Sequence, residues 1–99
     1  MEVKVLDNHT IEIVGNIKSL DHYNEIKQTV QHLVSNGSKN LTINVKDSLS
    51  MVSSVIGFLI KVINVDGVAL NVNVWDERLY ALLDQLSLVE LFHVRHMKN

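Results

Sequence analysis

The chain has 99 residues, 46% apolar and 20% charged, which fits one globular domain spanning 1–99 with a core of its own. It contains no cysteine, which excludes a disulfide framework and a thiolate metal site. The formal net charge is −2, without clustered Lys or Arg and with only five aromatic side chains, so neither a phosphate-binding patch nor a base-stacking platform is in view and no nucleic-acid partner is expected.

Residues 2–6 and 10–14 alternate apolar and polar side chains with period two, the pattern of half-buried strands. Val3 and Val5 share one face, as do Ile11 and Ile13. Asp7 and Asn8 between them supply turn chemistry, so a hairpin is expected, ended by Gly15. No apolar stretch like a leader peptide's occurs in this opening segment. From Ser19 or Asp21 to about Ser35 the period changes. Leu20, Tyr23, Ile26, Val30, Leu33 and Val34 recur at three and four residues, which predicts an amphipathic helix stopped by Asn36 and Gly37.

Residues 41–45 alternate again and predict a third strand; residues 68–74, with Val68, Leu70, Val72 and Val74 on one face, predict a fourth. Between them runs the most apolar stretch of the chain, 53–65. Strand, helix and strand of these lengths point to a parallel crossover. Asp76 reads as an N-cap, with Trp75 and Tyr80 placed as a hydrophobic staple, before Leu79, Leu82, Leu83 and Leu86 on one helical face. The run Ser87-Leu-Val-Glu90 reads as a capping box that starts one more helical turn through about Phe92. The expected fold class is therefore α/β, a compact domain with a mixed central sheet of about four strands and about four helices.

The helix over 53–65 carries apolar residues on two arcs. Ile56, Leu59, Ile60 and Ile63 form one, suited to packing on the sheet, while Val55, Phe58, Val62 and Val65 form the second. Gly57, Lys61 and Asn64 make a narrow polar strip. In so small a domain the second arc is expected to remain exposed and meet a partner. The longest apolar run, 55–63, is broken by Gly57 and Lys61 and falls well short of the ~20 residues that cross a bilayer, so a cytoplasmic protein without direct membrane insertion is expected.

Three motifs resemble those of the STAS family of anti-sigma-factor antagonists. Val52-Ser53-Ser54-Val55-Ile56-Gly57 is similar to the family's D-S-[ST]-G-x-G segment at the start of its second helix. Ile13-Val14-Gly15-Asn16-Ile17 is similar to the apolar-x-Gly-x-apolar step before the first helix. Residues 82–94 are similar to the closing L-x-x-x-G-L-x-x-L-F-x-V pattern, with Ser87 where Gly is usual. Together the motifs cover nearly the whole chain without a large gap.

The resemblance implies a bacterial, non-enzymatic signalling domain that regulates transcription by protein–protein interaction. Its partner would be an anti-sigma factor of serine-kinase type, met through Met51, Val52, Ser53, Ser54, Val55, Phe58, Lys61 and Val62, with Ser53 at the family's phosphoacceptor position. A phosphate there would be tolerated by the helix N-terminus of its own domain, while its desolvation against an apolar partner would weaken docking. Val52 replaces the family's acid and Val55 its glycine, so docking independent of phosphate is the expectation, with Ser53 acting as an N-cap. A related alternative is a STAS-like subunit docked on the ATPase of a membrane transporter. A different alternative is a structural homodimer formed through the second arc.

Catalytic readings find little footing. Ser53 lacks the G-x-S-x-G elbow, and neither G-x-x-x-x-G-K-[ST] nor G-x-G-x-x-G occurs. Asp47, after the third strand, reads as a solvated loop acid. The five histidines, including His22 and His32 on the first helix and His93 and His96 near the end, have no companion set of ligands. No catalytic residue, metal or cofactor is expected.

Overall fold

Strand alternation sets the frame of the sheet. The computed structural model describes residues 1–98 and places five strands side by side in chain order. They are β1 (Glu2–Asp7), β2 (Thr10–Val14), β3 (Asn40–Lys46), β4 (Ala69–Val74) and β5 (Arg95–His96). The helices α1 (Leu20–Ser35), α2 (Ser53–Asn64) and α3 (Glu77–Gln85) connect β2 to β3, β3 to β4 and β4 to β5. β1 and β2 are antiparallel, and every later neighbour is parallel, as helical crossovers require.

The expected hairpin forms over Asn8 and His9, with the Asp7 carboxylate accepting the His9 N–H at 2.9 Å. Val5 faces Ile11 and Asp7 faces Thr10, so Leu6 is an extra residue that bulges the strand. Gly15 ends β2 at φ +100, and a side chain there would press on the Met1 backbone at 3.2 Å.

The two faces of the sheet differ completely. Ile11, Ile13, Leu41, Ile43, Leu70 and Val72 are buried together with Ile26 and Val30 of α1, Leu59 and Val62 of α2, and Leu79 and Leu83 of α3. All three helices therefore lie on one face. The opposite face carries Thr10, Glu12, Thr42, Asn44, Asn71 and Asn73 and is not buried. There the Asn73 side-chain amide donates to the Asn44 side-chain oxygen at 2.9 Å, and Lys46 lies 3.3 Å from Glu12 and 4.9 Å from the centre of the Trp75 ring.

Helix ends reflect local chemistry. The Ser19 hydroxyl caps α1 by accepting the His22 N–H at 3.2 Å. Asn36 and Gly37 close it as expected, with Ser38 N–H donating to the Leu33 carbonyl at 3.1 Å and Gly37, at φ +97, to Val34 at 3.0 Å. Asp76 caps α3, its carboxylate accepting the Arg78 N–H at 2.8 Å. Around this cap, Trp75 lies under Lys46, and the Tyr80 ring stacks on His96 at 5.7 Å.

Two element expectations need correction. The capping box at Ser87 does not form. Ser87 adopts φ +59, and its N–H donates to the Asp84 carbonyl while that of Leu88 donates to Leu83, both at 2.9 Å. Ser87 thus takes the left-handed position that closes α3, a position where Gly is favoured. Residues 88–92 form one turn, closed by the Phe92 N–H on the Leu88 carbonyl at 2.9 Å, not a fourth helix. That turn delivers β5, a two-residue strand beside β4, too short to show a period in the sequence.

Candidate functional site

The segment between β3 and α2 is held by its neighbour across the sheet's carboxyl edge. The Gly15 N–H donates to the Lys46 carbonyl at 2.9 Å, extending the β2–β3 ladder by one bond. Asp47 is exposed and turns the chain at φ +55. Ser48 then points inward; it is 1% exposed and its hydroxyl donates to the Gly15 carbonyl. The Leu49 N–H donates to the Asn16 side-chain oxygen at 2.9 Å, and Met51 bridges Ile17 in parallel. Residues 46–51 are therefore stitched to residues 15–17 before α2 begins. Sequence reasoning missed Ser48, since a loop serine carries no mark of burial until the facing loop is in place.

The start of α2 differs from the expectation. Val52, extended at φ −65 and ψ 148, is the N-cap, and no side chain caps this end. Its carbonyl accepts from both Val55 N–H, at 3.1 Å, and Ile56 N–H, at 3.3 Å. Ser53 is the first helical residue, so the capping role assigned to it falls instead to an apolar residue that cannot perform it. Ser53 and Ser54 are both exposed at the positive end of the helix dipole, with no acidic side chain in the first turn.

The larger correction concerns the two arcs. Val55, Phe58 and Val62, expected to be a free surface, are buried with Leu59, and Met51 is buried beside them. Phe58 packs under α1, meeting the Tyr23 ring edge-on at 6.3 Å. Val65 alone of that arc is open, at 70% exposure, and it lies beyond the last helical turn. Of the arc assigned to the sheet, Ile56, Ile60 and Ile63 are only half-buried. The physical reason is the phase of the helix: Val55 and Leu59 stand opposite the polar strip of Gly57, Lys61 and Asn64, so the buried direction runs through them. That strip was the signal available in the sequence. A homodimer through the second arc loses its surface for the same reason.

Of the residues singled out, the structure brings together Val52, which is half-buried, and the exposed Ser53 and Ser54. Leu49, 41% exposed, adjoins them in the same loop, and Leu20, 70% exposed, opens α1 at the same carboxyl edge of the sheet. Lys61 is exposed but stands two helical turns further on, beside Val30, Val34 and Asp66 in the cleft between α1 and α2.

The titratable groups are scattered. The His93 ring lies 2.8 Å from the Leu70 carbonyl, His96 stacks on Tyr80, and the His22 ring accepts the Lys18 N–H at 3.2 Å. Among the described residues no three His, Asp or Glu side chains gather as ligands for a metal ion. The Arg78 guanidinium and N–H beside Asp76 hold its carboxyl below the usual range, and the His9 N–H does the same for Asp7. Neither carboxylate belongs to the loop before α2. Among the described residues no helix is long and apolar enough to cross a membrane. No protein-family model matches the chain, and no curated protein sequence matches it.

Proposed function

We propose that this domain is a non-enzymatic regulator of the anti-sigma-factor-antagonist type. It docks an anti-sigma factor of serine-kinase type through the carboxyl edge of the sheet, around residues 49–56. The observation that carries this reading is the start of α2, where two exposed serines stand on an uncapped helix end beside the open side chain of Leu49 and the half-open Val52. Such an end offers backbone donors and helix dipole to a partner's acidic group, while Leu49 and Val52 supply apolar contact. Support also comes from the order of elements and from Ser53 falling at the first position of the second helix.

Docking here is independent of phosphate, because Val52 takes the place of the acid and Val55 fills the core where the family has glycine. Stoichiometric phosphate on Ser53 in protein taken from its native cell would overturn that part.

The test is affinity capture from the source cell with three baits, read by mass spectrometry: the native chain, Leu49→Asp and Ser53→Asp. Both substitutions sit at exposed positions and leave the core intact. The expected result is an anti-sigma-factor-like protein retained by the native bait and lost from both variants. The same captured proteins on all three baits would sink the reading.

A further inference from the structure

The sheet ends on one side with β5, two residues long, and on the other with β1, six residues long. Among the described residues no strand pairs with the outer side of β1, which leaves a row of backbone donors and acceptors open. Val5 and Leu6 on this strand are 52% and 51% exposed. An edge of this length is normally blunted by charge or by a bulge, and β1 has both: Lys4, and the bulge at Leu6. The bulge, however, leaves residues 2–5 regular, and the charges there form an ordered pattern rather than a simple block. Glu2 and Lys4 project from the polar face and pair with each other at 3.1 Å, while Val3 and Val5 lie on the helix-bearing face opposite Ile13 and Ile11.

We infer that β1 pairs antiparallel with β1 of a second copy, about a two-fold axis through Val3, joining the two sheets into one. A two-fold normal to the sheet keeps the helices of both copies on the same side, so only registers that match like faces are allowed. Centring on Val3 sets Glu2 opposite Lys4 of the second copy and Lys4 opposite its Glu2. Val3 then faces Val3, and Val5 faces Met1, so the polar and apolar sides both match. The neighbouring registers fail on charge. Centring on Lys4 sets lysine against lysine, and centring on Glu2 sets glutamate against glutamate. Centring on Val5 would run the pairing through the bulge at Leu6, so the regular part of the strand is self-complementary about Val3, which is what an isologous contact needs.

This pairing stands apart from the docking reading, since β1 lies two strands from the β3 end that leads into α2. Sedimentation velocity of the full chain over a concentration series tests it. The native chain is expected to show a reversible dimer that grows with concentration. Lys4→Glu sets glutamates against each other and weakens the dimer at least about tenfold, or about 1.4 kcal/mol. The swap E2K/K4E restores the alternation and with it the dimer. Circular dichroism should be unchanged in both, because the two side chains are exposed. Leu49→Asp should leave the dimer intact. A native chain that stays monomeric, a dimer indifferent to Lys4→Glu, a swap that fails to rescue it, or a dimer lost in Leu49→Asp would each overturn the assignment to β1.

Discussion

α2 and α3 are both crossover helices packed on the same face of one sheet, yet they are anchored in opposite ways. α3 is held by its ends: Asp76 caps its start, with Arg78 bonded back to the same carboxylate at 2.9 Å, and the turn at Ser87 closes its finish. Its buried contribution within the helix is Leu79 and Leu83. α2 lacks a side-chain cap and is held by four buried residues, Val55, Phe58, Leu59 and Val62. A helix with strong packing can leave its terminus unsatisfied and open, and one with little packing depends on its caps. This difference places an exposed, unsatisfied backbone end at the edge of the sheet beside Leu49.

The comparison breaks first at Phe58. If α2 is held by packing, Phe58→Ala costs about 3–5 kcal/mol, measured by urea denaturation. A loss no larger than that of an exposed residue would return Phe58 to the surface and reverse the orientation of the helix. A smaller effect is expected where a cap is introduced. Val52→Thr keeps the branched shape and adds an acceptor for the free N–H groups, so it should stabilise by about 1 kcal/mol. The same substitution tests how open that end is, since a terminus already satisfied would gain nothing.

At the far end of α3, Ser87 holds a left-handed conformation that favours glycine. Ser87→Gly should therefore raise stability by about 0.5 kcal/mol, the relief of strain being partly offset by the freer unfolded chain. The smallest effect is in pH. Because Arg78 holds the Asp76 carboxyl below its ordinary value when folded, the cap's contribution is complete above that ordinary value and is lost as pH falls through the folded one. Acidification below about pH 4 should then fray the start of α3 in amide exchange. The start of α2 has no acidic side chain in its first turn and should not change through this cause.

Much of the architecture was legible along the chain. Alternation located β1 to β4, the change of period located α1, and the long apolar run between two strands located α2. The Asp76 cap with its leucine face located α3, while Asn36-Gly37 marked the end of α1, because each signal is local and each residue acts on its own backbone. Ser87 misled for a related reason: a serine three residues before Glu90 fits the start of a helix, but the same residue was needed to finish the preceding one. β5 was invisible because two residues have no period. Around the candidate site, Val52, Ser53 and Ser54 were placed at the correct junction, while Ser48 and Leu49 acquire meaning only from Gly15 and Asn16 across the edge.

Composition, period and capping chemistry were enough to determine an α/β domain with β1 to β4 and α1 to α3 in this order, since those are properties of neighbouring residues. The polar strip of Gly57, Lys61 and Asn64 already sets Val55 and Leu59 inward, but what covers the flanks of α2 was not written along the chain. That was decided by α1 and the sheet closing around the helix, where Phe58 meets Tyr23 and Ile56, Ile60 and Ile63 are left half-covered, because burial of a flank depends on elements distant in sequence. The free edge of β1 was likewise decided by the whole sheet, because a strand becomes an edge only when every other strand has taken its place beside another.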